Sequence, residues 1–115
     1  MIAVLNIARG AAARTLVLRE IAQPMPAAGE VLVKVIASGL NPSDVKVRAG
    51  AQGPMVAEAV LVHNDGAGVI EAVGDGVDPA RIGQRVWLFE VNRAHGGLAQ
   101  GTNGTAAEYT CVPEG

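Results

Sequence analysis

The stretch Glu-Val-Leu-Val-Lys-Val-Ile-Ala-Ser at residues 30–38 decides the fold of this chain. Successive side chains of a β-strand point to opposite faces of the sheet, so the three valines at 31, 33 and 35 share one face. The other face carries Leu32, Lys34 and Ile36. Because both faces are mostly apolar, the pattern predicts a central strand with a neighbour on each side.

Shorter apolar runs with β-branched residues surround this strand. They predict further strands at 1–7, 15–21, 66–73, 85–89 and 105–112. Pro42 suits the first turn of a helix and Gly50 suits its end, so a short helix is predicted over Ser43–Arg48. Residues 51–63 fit either strand or loop, and the glycine-rich Glu90–Gly104 predicts a mobile loop. Many short strands with one brief helix indicate a mainly β fold, a small barrel or barrel-like sandwich.

Composition narrows the class of protein. A chain of 115 residues suits one domain, over residues 1–115, and its single cysteine, Cys111, excludes a disulfide framework. A net charge of −2 gives no basic surface for nucleic acid or an anionic membrane. No apolar run approaches the ~18 residues that a spanning helix needs, and Met1–Ile7 lacks the features of a signal peptide. We therefore predict a cytoplasmic protein with no nucleic-acid or membrane partner.

A phosphate-binding motif is suggested by Gly66-Ala67-Gly68, which matches the start of a dinucleotide fingerprint. Glu71 stands where the third glycine would be, and the segment leads into a strand instead of a helix. The pyrophosphate of a dinucleotide needs the amides and dipole of a helix N-terminus. The favoured interpretation is therefore glycine at the tight start of a strand.

Nucleophiles and metal ligands are scarce. Both serines, Ser38 and Ser43, lie outside a Gly-x-Ser-x-Gly motif and are interpreted as turn or capping residues. His63 with Asp65 could contribute to a metal site, but a catalytic zinc needs three well-placed protein ligands. We therefore interpret His63 as a polar residue in a loop or at a strand end. Trp87, the single tryptophan, is interpreted as a core residue and not as a ligand platform.

A compact polar group, formed by Asn41, Ser43 and Asp44, follows the central strand. These side chains could supply hydrogen-bonding groups at the mouth of a cleft. Asn41, just before Pro42, is equally suited to cap the helix by accepting from backbone amides. Both roles stay open, because one residue can perform both. If Asn41 only caps the helix, Asn41→Asp should leave the stability within about 1 kcal/mol.

Five ordered motifs cover almost the whole chain. They are Pro-Ala-Ala-Gly-Glu-Val-Leu-Val-Lys-Val (26–35), Ser-Gly-Leu-Asn-Pro-Ser-Asp (38–44), Asn-Asp-Gly-Ala-Gly-Val-Ile-Glu-Ala-Val-Gly-Asp-Gly-Val (64–77), Ile-Gly-Gln-Arg-Val-Trp (82–87) and Gly-Thr-Ala-Ala-Glu-Tyr-Thr-Cys-Val-Pro (104–113). Together they resemble the N-terminal, GroES-like catalytic domain of the medium-chain dehydrogenases/reductases, in their zinc-independent quinone oxidoreductase (zeta-crystallin-like) branch. The resemblance implies a GroES-like, partly open β-barrel with one or two short helices.

The comparison with zinc-dependent relatives implies that this chain holds no metal. Those relatives place a ligand cysteine where this chain has Asn41. They have a Gly-His-Glu triplet where it has His63, Asn64 and Asp65, so the ligand histidine aligns with Asn64. Their structural zinc would fall within Glu90–Gly104, which has no cysteine.

The resemblance also implies an activity. The family transfers a hydride from NADPH to a quinone or enone, while the protein binds and polarises the small-molecule substrate. Asn41 matches the family's cleft asparagine near the nicotinamide, and Asp44 would support the same loop. Some relatives carry tyrosines in the segment that matches 46–52, and this chain has none there, which weakens the implication of a quinone-specific pocket.

Family members continue into a Rossmann domain, and this chain stops where that domain would begin. We therefore expect no dinucleotide-binding domain in this chain, no cofactor bound by the chain alone, and no activity by itself. A homodimer or a separate chain that supplies a Rossmann domain would complete the site. The alternative is a stand-alone module that binds a small ligand or a protein partner on the same barrel. A third hypothesis, a co-chaperonin-like ring, predicts a seven-fold particle instead of a monomer or dimer.

Overall fold

A computed structural model describes residues 1–50, 59–91 and 103–115. The elements in chain order are β1 (Ile2–Asn6), α1 (Ala12–Thr15), β2 (Leu16–Glu20), β3 (Glu30–Gly39), α2 (Pro42–Ala49), β4 (Val60–Leu61), β5 (Asp65–Val73), a 3₁₀ turn (Pro79–Arg81), β6 (Arg85–Leu88) and β7 (Tyr109–Pro113). Strands are therefore the main regular structure of the described residues, as the sequence predicts. No helix among these residues is long and apolar enough to cross a membrane.

Two antiparallel sheets form the domain, in the strand orders β2-β1-β4 and β6-β5-β3-β7. The prediction that residues 30–38 form a central strand is confirmed, because β3 lies between β5 and β7. Residues 105–108 link the sheets: Ala106 accepts from the Val4 amide of β1 and Glu108 accepts from the Val35 amide of β3. The described strands do not close on themselves, so the fold is the expected partly open barrel.

The core lies against the β5-β3 pair. Its buried side chains are Val31, Val33, Ile70, Val77, Leu88 and Val91. Burial along β3 ends midway, because β7 pairs only with residues 30–34. Ile36, on the half of β3 that β7 does not reach, is exposed.

Two glycines let β5 approach β3 closely. A Cβ built on Gly68 would lie 2.2 Å from the Lys34 carbonyl oxygen, and one on Gly66 would lie 2.4 Å from the Ala37 carbonyl oxygen. The register between the strands shifts between Val35 and Ala37. The interpretation of Gly66-Ala67-Gly68 as a tight strand segment is therefore confirmed, since a side chain would separate the two backbones.

The interpretation of Trp87 as a core residue is wrong, because the side chain is 92% exposed. β6 is an edge strand of its sheet, and its alternation places Leu88 in the core and Trp87 on the outer face, opposite Ala67. Phe89, two residues along, is also exposed. The short helix α1 precedes β2, and the last strand, predicted over 105–112, is confined to Tyr109–Pro113.

The predicted helix over Ser43–Arg48 is confirmed and extends by one residue at each end. Gly50 ends it in the left-handed region, at φ 95°, where glycine has no Cβ penalty. The ambiguous segment 51–63 contributes the two-residue strand β4. The predictions for 51–58, and for most of the loop at Glu90–Gly104, lie outside the described residues.

Candidate functional site

Polar side chains from four parts of the chain meet at the end of β3 and the start of β5. We call this group the polar cluster, and its members are Ser38, Asn41, Asp44, His63, Asp65 and Thr105. The antiparallel pairing of the strands creates it, because Ser38 lies opposite Gly66, and Gly39 lies opposite Asp65. Thr105, in the segment that links the sheets, completes the group from the far end of the chain.

The Asp65 carboxylate is held by two donors. The Asn41 side-chain nitrogen donates to its Oδ2 at 2.6 Å, and the Glu90 backbone amide donates to its Oδ1 at 3.1 Å. A charged acceptor strengthens each of these bonds, so the carboxylate fixes the orientation of the Asn41 amide. The pair joins the start of α2 to the start of β5.

Asn41 and Asp44, the two candidates from the sequence, do lie together. Asn41 is the N-cap of α2, with φ −114° and ψ 158°, and Pro42 starts the helix. The Asp44 carboxylate accepts from the Asn41 backbone amide at 2.7 Å, as in a capping box. The cap position and the contact with Asp65 therefore coexist in one residue, and Asp44 holds the backbone from which the Asn41 side chain extends.

A chain of hydroxyl groups forms the other half of the polar cluster. Ser38 Oγ lies 2.8 Å from His63 Nδ1 and 2.9 Å from Thr105 Oγ1. Thr105 Oγ1 in turn donates to the Asp65 backbone carbonyl at 2.7 Å. Thr105 is fully buried, whereas the Ser38–His63 contact is exposed. The chain therefore runs from the interior to the surface.

Sequence reasoning named Asn41 and Asp44 but missed the part that Ser38 and Thr105 play. Asn41 and Asp44 are three residues apart, and a capping pattern reveals them. Ser38 is separated from His63 by 25 residues and from Thr105 by 67 residues. Only the pairing of β3 with β5, together with the link between the sheets, brings them together, and no local pattern encodes either.

His63 has an unusual backbone. Its φ is 71°, in the left-handed region that residues other than glycine rarely adopt. Histidine tolerates this region better than most residues, but it still stores strain there. Strain of this kind persists where the surrounding structure enforces it, and such positions cluster at functional sites.

The donors of the polar cluster do not fit zinc. Each protein ligand of a zinc site is a thiolate, an imidazole or a carboxylate. Asn41 offers an amide instead, and that amide donates to Asp65. No group of three or more His, Cys, Asp and Glu residues within 1–50, 59–91 and 103–115 could hold a metal ion. Cys111 lies buried in β7, outside the polar cluster.

The Gly66-Ala67-Gly68 segment does not fit the pyrophosphate of a dinucleotide. It lies inside β5, and its glycines face the β3 backbone instead of leading into a helix. Phosphate binding at a glycine-rich turn requires the helix N-terminus that follows it. Among the described residues, this segment therefore serves strand packing.

Residues 27–115 match the family described as the alcohol dehydrogenase GroES-like domain. The chain belongs to this family. The rat quinone oxidoreductase is 37% identical over 81 residues, which cover 70% of this chain and 24% of the rat enzyme. The mouse quinone oxidoreductase is 36% identical over 94 residues, or 82% of this chain and 27% of that enzyme. The chain thus spans about a quarter of the length of these relatives.

Solved structures agree with this assignment. A structure described as an NAD-dependent alcohol dehydrogenase superposes with a TM-score of 0.83 at 32% identity, covering 99% of this chain and 38% of that protein. A mycobacterial protein complexed with NADPH gives a TM-score of 0.76 at 29% identity, covering 99% of this chain and 32% of that one. The resemblance to the N-terminal GroES-like domain of the medium-chain dehydrogenases/reductases, in the quinone oxidoreductase branch, is confirmed.

Proposed function

We propose that this chain is the substrate-side catalytic domain of a quinone or enone reductase, in which the polar cluster binds the substrate carbonyl. The observation that carries the proposal is the Asn41 amide fixed by Asp65. An asparagine amide has two N–H donors, and Asp65 takes one of them. The second is available to a carbonyl oxygen, and a fixed donor stabilises the negative charge that reduction places there.

The candidate residues then have distinct roles. Asn41 is the substrate-binding donor beside the nicotinamide. Asp44 is a positioning residue, since it accepts from the Asn41 backbone amide. Exposed Leu40, next to Asn41, offers apolar surface for a flat ring. The proposal includes zinc independence, because neither Asn41 nor its partner Asp65 is left as a free ligand for a metal.

NADPH would supply the hydride, as expected for a complete member of this family. The described residues do not offer the glycine-rich turn and helix that a pyrophosphate needs. We propose that residues beyond those described here hold it, in a Rossmann domain or at a contact with a second copy of the chain. A calorimetric titration of this chain with NADPH should then give no binding heat. Micromolar binding would contradict this part of the proposal.

The experiment that tests the carbonyl site is a titration of the ¹⁵N-labelled chain with duroquinone. All ring positions of this quinone carry methyl groups, so it does not add to the Cys111 thiol. We expect saturable shifts at the Asn41 and Asp65 backbone amides, and several-fold weaker binding by Asn41→Ala, because one hydrogen bond contributes about 1 kcal/mol. Ser43→Ala, which alters an exposed serine of α2, should bind as the wild type does.

One observation favours the alternative, a protein-interaction module. Trp87 and Phe89 present exposed aromatic side chains on one edge of the larger sheet. An exposed aromatic pair of this kind is typical of an interface. Sedimentation and amide NMR shifts distinguish the candidates. A chain that stays monomeric in sedimentation, and whose Trp87 and Phe89 amide signals shift with no protein partner, would count against the interaction module.

A further inference from the structure

The hydroxyl chain in the polar cluster has a fixed direction. The Asp65 backbone carbonyl only accepts, so the single hydroxyl hydrogen of Thr105 is used on it at 2.7 Å. In the 2.9 Å contact between Ser38 and Thr105, Ser38 must therefore be the donor. The Ser38 hydrogen is then used as well. In its 2.8 Å contact with His63, Ser38 accepts and Nδ1–H donates.

This direction decides the state of the imidazole. In neutral histidine one ring nitrogen carries the hydrogen and the other is the acceptor, and the partner of one nitrogen determines the state of both. With Nδ1–H donated to Ser38, Nε2 is the nitrogen that gains and loses a proton. Nδ1 carries hydrogen in both the neutral and the charged ring, so the hydroxyl chain stays the same while Nε2 exchanges its proton.

We propose that His63 is the proton donor of the site, with Nε2 delivering the proton to the substrate oxygen while Ser38 and Thr105 hold Nδ1 protonated. The inference rests on the proposed quinone or enone reduction. Its second support is the left-handed backbone of His63, at φ 71°, a position where glycine would be less strained. His63 is strained and stands at the surface end of the hydroxyl chain. This position fits a chemical role better than a packing role.

The step balances. The quinone gains two electrons and one hydrogen as a hydride from the reduced nicotinamide cofactor, which is oxidised, and becomes the hydroquinone monoanion. The Nε2–H bond of the imidazolium breaks and an O–H bond forms on the substrate oxygen. Neutral His63 remains with hydrogen on Nδ1, and water restores the proton at Nε2, because His63 is only partly buried.

The first test reads the tautomer directly. In the ¹⁵N-labelled His95→Gln variant, His63 is the single imidazole. At a pH above the range in which the ring signals change, we expect Nδ1 to give the ¹⁵N signal of a protonated nitrogen and Nε2 that of an unprotonated one. Ser38→Ala and Thr105→Val should each convert this into a mixture, whereas Ser43→Ala and Thr105→Ser should not. A wild-type ring with hydrogen on Nε2, or one unaffected by Ser38→Ala, would overturn the proposal.

The second test adds duroquinone to the same variant at a lower pH, at which the His63 ring is charged. We expect His63 Nε2 to shift with the same midpoint as the Asn41 amide, and the Nε2–H of the charged ring to exchange more slowly with water in the complex. Shifts at the Asn41 and Asp65 amides without a response at Nε2 would overturn the role of His63 and leave the proposed carbonyl site intact. No saturable shift anywhere in the polar cluster would overturn both.

Discussion

At position 41, a single asparagine both caps a helix and contacts a carboxylate on another strand. Its backbone amide donates to Asp44, and its side-chain nitrogen donates to Asp65. The first bond stabilises α2, and the second fixes the direction of the amide. Because the two bonds use different atoms of Asn41, substitutions can separate the capping role from the orienting role.

Asn41→Asp is therefore expected to cost more than the change of about 1 kcal/mol that follows if Asn41 is a cap alone. The substitution places two carboxylates where the Asn41 nitrogen and Asp65 Oδ2 now lie 2.6 Å apart. Like charges in such a contact lower the free energy of unfolding at pH 7 and recover it when one carboxyl is protonated. Urea unfolding at pH 7 and pH 4 measures both effects.

The matched control for this substitution reverses the pair. In Asn41→Asp with Asp65→Asn, the new asparagine donates to the new carboxylate and still accepts from the Glu90 amide. We expect the double variant to recover most of the stability lost by Asn41→Asp. A double variant that unfolds as easily as the single one would show that the contact between residues 41 and 65 does not orient either side chain.

His63→Gly is expected to change the free energy of unfolding by less than about 1 kcal/mol. Glycine relieves the left-handed backbone at φ 71°, which offsets its larger unfolded-state entropy and the loss of the exposed hydrogen bond to Ser38. Thermal or urea unfolding tests this. A loss of more than about 2 kcal/mol would make the imidazole a structural group and contradict its assignment to chemistry.

Strand pairing determines which parts of the cluster were predictable. Asn41 and Asp44 follow from a local capping pattern, and the central position of β3 follows from its two apolar faces. The alignment of Ser38, His63 and Thr105 depends on the β3-β5 register and its shift near residue 36, which no single segment encodes. The prediction for Trp87 failed for a related reason. Alternation along a strand tells which side chains share a face, but it does not tell which of the two faces is buried in the core.

At the level of elements, the closeness of β3 and β5 depends on glycine. Gly68→Ala would place a Cβ 2.2 Å from the Lys34 carbonyl and 2.7 Å from a Val33 methyl group. The strands must separate, so we expect a loss of at least about 2 kcal/mol in the free energy of unfolding. Gly115→Ala, which meets nothing within 4 Å, is the control. Equal stability of the two variants would contradict the close approach described for these strands.

For the whole molecule, the buried thiol of Cys111 makes the free energy of unfolding depend on pH in the alkaline range. Burial raises the pKa of its thiol from 9.0 to about 11, with a smaller contribution from the charge of Glu30. The unfolded thiol ionises first, so the contribution of Cys111 to stability is complete below pH 9.0 and is lost as the pH rises toward about 11. Folded chain should also react slowly with thiol reagents at pH 8, because the thiolate is the reactive form.

The difference between the wild type and Cys111→Ala isolates this effect, since the other titrating groups are common to both. We expect the stability advantage of the wild type, measured by urea unfolding, to shrink between pH 8 and pH 10. A constant difference across that range would contradict the raised pKa, and so would rapid modification of the folded thiol.

The duroquinone titration of the ¹⁵N-labelled chain tests whether the polar cluster at the β3-β5 end binds a quinone or enone carbonyl. Binding there should give saturable shifts at the Asn41 and Asp65 amides that Asn41→Ala weakens several-fold and Ser43→Ala leaves unchanged. Shifts confined to the exposed surface around Trp87 and Phe89, or no saturable shift at all, would contradict it.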